Sequence, residues 1–99
     1  MSKLSYEKDA LDRLCRHYRI RRLALFGSVL NGTAGPDSDV DLLVEFEPGA
    51  VPGFLKLARI EGELSLLLAG RRVDFRTPQD LSRYFRDQVL REAEVQFAA

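Results

Sequence analysis

Residues 23–47 read LALFGSVLNGTAGPDSDVDLLVEFE, and this stretch decides the fold. The apolar run Leu23-Ala24-Leu25-Phe26 stops at Gly27 and predicts a buried strand over about 19–26. Gly27 to Ser38 holds three glycines, a proline and several small polar residues, which predicts a loop with room for one helical turn after Ser28. Asp39 to Glu47 alternates acid and apolar residues and ends at Pro48-Gly49, the pattern of a strand with one acidic and one apolar face.

Outward from this core, residues 3–18 place Leu11, Leu14, Cys15 and Tyr18 on one helical stripe, with a basic polar face. Residues 53–69 set Phe54, Leu57, Ile60, Leu64 and Leu67 at helical spacing, and Gly70 is placed to stop that helix. Arg71 to Arg76 is a short strand around Val73 and Phe75. Thr77-Pro78 starts a last helix, with Thr77 as N-cap, Pro78 in the first turn, Asp80 three residues on, and a stripe of Leu81, Phe85 and Val89. Ala93 to Phe97 alternates again and predicts a short edge strand. The expected class is α+β (α/β): a small mixed sheet covered on one side by helices, in a single domain over 1–99.

With 99 residues, the chain has length for one domain and no repeat. One cysteine excludes an internal disulfide and fits a reducing, cytoplasmic setting. No apolar run approaches the ~18 residues of a membrane span, and the start shows no signal-peptide pattern, so no membrane is expected. Fifteen basic and 15 acidic side chains balance to zero, which argues against a bulk polyanion binder and makes direct nucleic-acid binding unlikely. The zero conceals three unequal blocks. Residues 1–25 carry a net +4, residues 26–50 carry −5 with no basic side chain, and residues 51–99 carry +1. The acidic block is the place to look for chemistry.

Residues two apart on a strand share a face, so Asp39 and Asp41 aim together while Val40, Leu42 and Val44 face the other way. Two carboxylates at ~5 Å repel by about 3 kcal/mol at an effective dielectric near 20. A divalent cation relieves this, and hard carboxylate oxygens suit magnesium or manganese. Asp37, Glu45 and Glu47 add negative potential nearby. Gly27 lets the backbone approach a ligand closely, and Ser28 at a helix start offers a hydroxyl and exposed N–H groups for a phosphate oxygen. Asp74 joins the acidic face if its strand pairs beside the Asp39–Asp41 strand. Three carboxylates can hold two cations, the arrangement that clamps attacking and leaving oxygens in nucleotidyl transfer. The bland alternative for Asp74 is a surface ion pair with Arg71 or Arg76.

The stretch Leu25-Phe26-Gly27-Ser28 through Ser38-Asp39-Val40-Asp41-Leu42-Leu43-Val44, with Val73-Asp74-Phe75 before Thr77-Pro78, resembles the minimal nucleotidyltransferases, the MNT family of the DNA polymerase beta-like superfamily. The resemblance spans nearly the whole chain. It implies the polymerase beta-like palm fold and a Mg2+-dependent transfer of AMP from ATP to an acceptor hydroxyl. Asp39, Asp41 and Asp74 would be the catalytic, metal-holding carboxylates for two Mg2+ ions, and Gly27 and Ser28 the nucleotide-binding pair. Many members are antitoxins beside a HEPN-domain ribonuclease toxin, and some add AMP to a toxin tyrosine. The resemblance therefore implies a HEPN-domain toxin partner in a hetero- or homo-oligomer.

One departure stands out. Many relatives carry basic residues directly after the Gly-Ser pair, where this chain has Val29, Leu30 and Asn31. Arg76, or a partner's arginine, is left to supply the positive charge. The departure motivates an alternative, an antitoxin that neutralises its partner by contact alone. A third function, transfer to a small molecule or an RNA end, ranks below both, because one helix and a tail after residue 76 leave little for an acceptor domain. Asp37 and Ser38 read as turn residues, Cys15 as core, His17 as a helix-surface residue, and Arg13, Arg16, Arg19, Arg21 and Arg22 as a solvated face.

Overall fold

The apolar run at Leu23–Phe26 is an inner strand of a mixed four-stranded sheet. The computed structural model describes residues 4–35 and 38–99. Lys3 and Asp37 lie outside them, and with them the first residue of the expected opening helix and the turn assignment of Asp37. The order is α1 (Lys8–His17), β1 (Ile20–Phe26), α2 (Ser28–Asn31), β2 (Val40–Phe46), α3 (Phe54–Leu67), β3 (Val73–Arg76), a 3-10 turn (Pro78–Asp80), α4 (Arg86–Glu92) and β4 (Glu94–Ala98).

In space the strands run β3-β2-β1-β4. β1 is antiparallel to β2 and β4, and β2 is parallel to β3. A parallel neighbour requires a crossover, and α3 supplies it. Leu11, Cys15 and Tyr18 from the α1 segment and Ile60 and Leu64 from α3 join Leu23, Leu25, Val40, Leu42 and Val44 in one buried cluster. Both helices thus cover the face that the strand alternation predicted to be apolar. Leu43, on the opposite face, is also only 3% exposed. The 3-10 turn after β3 contacts β2, and the burial of both sides of Leu42–Val44 is something alternation along β2 does not reveal.

Two expected stripes differ. On α3, Ile60, Leu64 and the following Leu68 are buried, but Phe54 is 85% exposed. Leu57 and Leu67 pack against the same cluster, so four of the five expected positions face inward and only Phe54, in the first turn, departs. The last helix does not run on from Pro78. Leu81 is extended, and α4 begins at Arg86. The Arg86 guanidinium donates to the Pro78 and Leu81 carbonyls at 2.7 and 3.0 Å, serving acceptors that a continuous helix would have used itself. Phe85, expected on the apolar stripe, is consequently exposed.

The capping signal before Pro78 is present. The Thr77 N–H donates to the Asp80 carboxylate at 3.0 Å, and this bond holds the Asp80 carboxyl below its ordinary value. A lowered carboxyl stabilises the fold above its unfolded-state value and loses that contribution as pH falls through its folded value. Asp80→Asn is therefore expected to lower stability at pH 7 by only about 0.5 kcal/mol, since the site is exposed. The difference from wild type should shrink below about pH 4, and thermal melts at neutral and acid pH check it.

The acidic block is not uniform either. Antiparallel pairing sets the basic start of β1 against the acidic end of β2. Arg21 meets Glu45 at 2.9 Å and Arg19 meets Glu47 at 3.0 Å. Glu45 and Glu47 are thus compensated at the far end of β2 and are not part of an uncompensated block around Asp39 and Asp41.

Candidate active site

The site forms where the C-terminal end of β1 meets the N-terminal ends of β2 and β3. Asp41 is the register partner of Phe26 on β1 and of Asp74 on β3. Parallel neighbours lie about 4.8 Å apart, so two carboxylates in matching register share one face. Their neighbours Val40, Leu42 and Phe75 turn into the core. Asp39 sits exposed just ahead of β2.

Burial raises the Asp41 carboxyl above its ordinary value, and the charges of Asp74 and then Asp39 raise it further. Asp41 is thus the residue on which the other two converge electrostatically. Nearby guanidiniums offset part of the charge: Arg72 Nε lies 3.6 Å from Asp39, and Arg76 Nη2 lies 3.3 Å from Asp74. The Arg76–Asp74 pair coexists with the shared acidic face: Asp74 stands in register with Asp41 and is ion-paired at once. It also engages Arg76, which had been the local candidate for a phosphate contact.

Gly27 ends β1 with φ +80° and precedes α2. A Cβ built on it would stand 2.3 Å from Asp41 Oδ2. Glycine is required twice here, for the left-handed backbone and for the close approach of the Asp41 carboxylate. Ser28 opens α2, and its carbonyl accepts the Thr33 and Ala34 N–H groups at 3.0 and 3.2 Å, which folds the loop back over the turn. Val29 is 7% exposed and packs into the core, so in this chain the position after Ser28 presents no cation to a ligand.

A fourth carboxyl enters from α3. Glu61, half-buried, is raised by burial and then by the charge of Asp74. Spacing gave no warning of it, because α3 meets β3 only in the tertiary structure. Ser38, assigned to a turn, does close one: its hydroxyl accepts the Gly35 N–H at 3.0 Å. Cys15 is fully buried, and burial pushes its thiol up to about 12, which leaves it a core residue without thiolate character at neutral pH. His17 lies exposed in the last turn of α1.

Among the described residues no three acidic, histidine or cysteine side chains form a ready metal cage. Asp39 and Asp74 lean instead on their arginines. The donor chemistry nevertheless fits a hard divalent cation: the oxygens are all carboxylate, burial and the charges of Asp74 and Asp39 raise Asp41, and the missing Gly27 side chain leaves Asp41 room.

A mixed sheet presenting an Asp-x-Asp strand against a Gly-Ser turn and a third aspartate on the parallel neighbour is the frame of a nucleotidyltransferase. The chain belongs to the nucleotidyltransferase domain family, whose profile matches residues 7–95. It is similar to the protein adenylyltransferase MntA of Thermococcus cleftensis, 40% identical over 88 residues, covering 89% of this chain and 82% of the relative. It also resembles a solved structure assigned provisionally as a minimal nucleotidyltransferase, with 44% identity, a TM-score of 0.69, and coverage of 87% of this chain and 85% of that one. A solved toxin–antitoxin with AMP-PNP shares the fold at a TM-score of 0.70 and 20% identity, over 94% of this chain and 74% of that one.

Proposed function

We propose that the chain is the antitoxin of a toxin–antitoxin pair and transfers AMP from ATP to a tyrosine hydroxyl of a HEPN-domain toxin, with Mg2+. The observation that carries this is the matched register of Asp41 and Asp74 beside a glycine against which the Asp41 carboxylate packs closely. Asp39, Asp41 and Asp74 are the residues that would hold Mg2+, two ions for three carboxylates. Bound there, the metal supplies charge neutralisation for the triphosphate and the departing pyrophosphate.

The chain's own groups do the positioning. The Ser28 hydroxyl and the first N–H groups of α2 would serve a phosphate oxygen, and the absent Gly27 side chain would let the nucleotide approach the strand end. Asp74 would orient the attacking hydroxyl and take up its proton. The bond from the hydroxyl oxygen to the α-phosphorus forms as the bond to pyrophosphate breaks. A protein partner also suits the surface: Phe54, Leu55 and Leu66 of α3 are large, apolar and exposed, as on surfaces that dock other chains.

ATP labelled at the α-phosphate should leave its label on the toxin encoded beside this chain, at a tyrosine, and ATP labelled at the γ-phosphate should not. No transfer of α-label in the presence of Mg2+ and the partner would overturn the reading. The buried Val29 favours the second reading, an antitoxin that acts by contact alone. In that case Asp39→Ala neutralises the toxin in cells as well as wild type does.

A further inference from the structure

Arg71 lies in the short connection from α3 to β3, and its contacts converge on the chain around Asp39. Its guanidinium Nη2 donates to the main-chain carbonyl of Ser38 at 3.1 Å. The carbonyl of the next residue, Arg72, accepts the Val40 N–H at 2.8 Å. Asp39 is therefore held on both sides, through the residue before it and the residue after it, by consecutive residues of one segment. That segment is anchored in turn. The Ser65 hydroxyl, in the last turn of α3, donates to the Arg71 carbonyl at 2.6 Å, and Gly70 closes the helix with its N–H on the Ser65 carbonyl at 2.8 Å.

The guanidinium occupies an unfavourable place. Its Nε is buried with no hydrogen-bond partner, and among the described residues Arg71 has no ion pair, whereas Arg72 and Arg76 each have one. An unpaired buried N–H costs free energy, so optimising stability alone would not put a guanidinium here. Asp39, by contrast, lies outside β2, and its only ion-pair partner among the described residues is the exposed Arg72 at 3.6 Å. A carboxylate on an exposed segment ahead of a strand binds a cation well only if the chain that carries it is fixed beforehand.

We propose that Arg71 is a positioning residue that fixes the Ser38–Asp39 segment in the conformation in which the Asp39 carboxylate can take a divalent cation. This rests on the assignment of Asp39 as a metal-holding residue. Side-chain truncation at Arg71 should then weaken metal binding without touching any ligand.

The test is Mn2+ binding to the full chain, read from the electron paramagnetic resonance signal of free Mn2+, beside thermal melts of each metal-free variant. Arg71→Met keeps the apolar stem and loses the bond to Ser38. It should weaken Mn2+ binding about tenfold. Arg71→Lys keeps a donor that reaches the carbonyl and should stay within about threefold of wild type. Should Arg71→Met fail to fold, Arg71→Gln takes its place with the same expected loss. A merely structural role would lower the melting temperature and leave Mn2+ affinity of the folded protein at the wild-type value, and that result overturns the proposal. Asp39→Asn separates the two levels. If it binds Mn2+ as wild type does, the assignment of Asp39 itself falls. If it loses binding while Arg71→Met does not, only the role of Arg71 falls.

Discussion

Asp41→Asn is expected to lower adenylyl transfer on the order of 10³-fold, about 4 kcal/mol of transition-state stabilisation, while the metal-free chain becomes more stable at neutral pH. The two halves of this result have one cause. Burial and the charges of Asp74 and Asp39 raise the Asp41 carboxyl, so the folded state resists ionising it. A carboxyl raised by folding adds stability below its unfolded-state value and loses that stability as pH rises through the folded value. At pH 7 the ionised Asp41 is therefore a burden, and the neutral amide removes it. The gain in melting temperature should vanish as pH falls below about 4, where wild-type Asp41 is protonated too. Two measurements check this: transfer of α-label to the partner, and melts of both proteins across pH. A fully active Asp41→Asn protein would remove Asp41 from the site. An inactive but destabilised one would mean that the carboxylate is part of the packing and not of the chemistry.

Gly27→Ala is expected to cost about 2–4 kcal/mol of stability and about 10²-fold in transfer. The backbone at Gly27 has φ +80° and ψ −153°, a region almost confined to glycine, which an L side chain adopts at a cost of about 1–3 kcal/mol. The added methyl would also stand 2.3 Å from Asp41 Oδ2, so either the carboxylate or the Gly27 turn must move. A displacement of about 1 Å at a reacting centre is enough for a loss of that size in rate. Gly32 provides the contrast. It has φ +76° as the residue closing α2, but a Cβ there meets nothing within 4 Å. Gly32→Ala should cost only the conformational part, about 1 kcal/mol, with transfer nearly unchanged. Equal losses of transfer in the two variants would show that the loop conformation matters and the approach to Asp41 does not.

The legible part of this protein was the local part. Period two over Asp39–Glu47 and the apolar run ending at Gly27 announced β2 and β1, because the two faces of a strand impose that alternation wherever one face is buried. Leu11, Cys15 and Tyr18 announced the inner side of α1 for the corresponding helical reason. Leu57, Ile60, Leu64 and Leu67 announced the inner side of α3 in the same way, and only Phe54 in its first turn lies outside that stripe. The break after Asp80 escaped this logic because the Arg86 guanidinium, five residues beyond Leu81, took up the carbonyls that would have continued the helix.

The same division runs through the site. Residue order alone determined that Asp39 and Asp41 belong together, that a glycine and a serine end the preceding strand, and that Asp74 sits on a short strand of its own. Only the tertiary structure decided that Asp74 stands in register with Asp41, that Glu61 approaches from α3, and that Arg71 holds the chain ahead of Asp39. It also decided the fate of the acidic block. Pairing with the basic start of β1 neutralised Glu45 and Glu47, and left Asp41, at the other end of β2, raised by burial and by the charges of Asp74 and Asp39. Sequence fixes which face a side chain takes within its own element, since that follows from backbone geometry over a few residues. Which charges then meet depends on strand register and helix docking, which bring together residues more than thirty positions apart, as with Asp41 and Asp74.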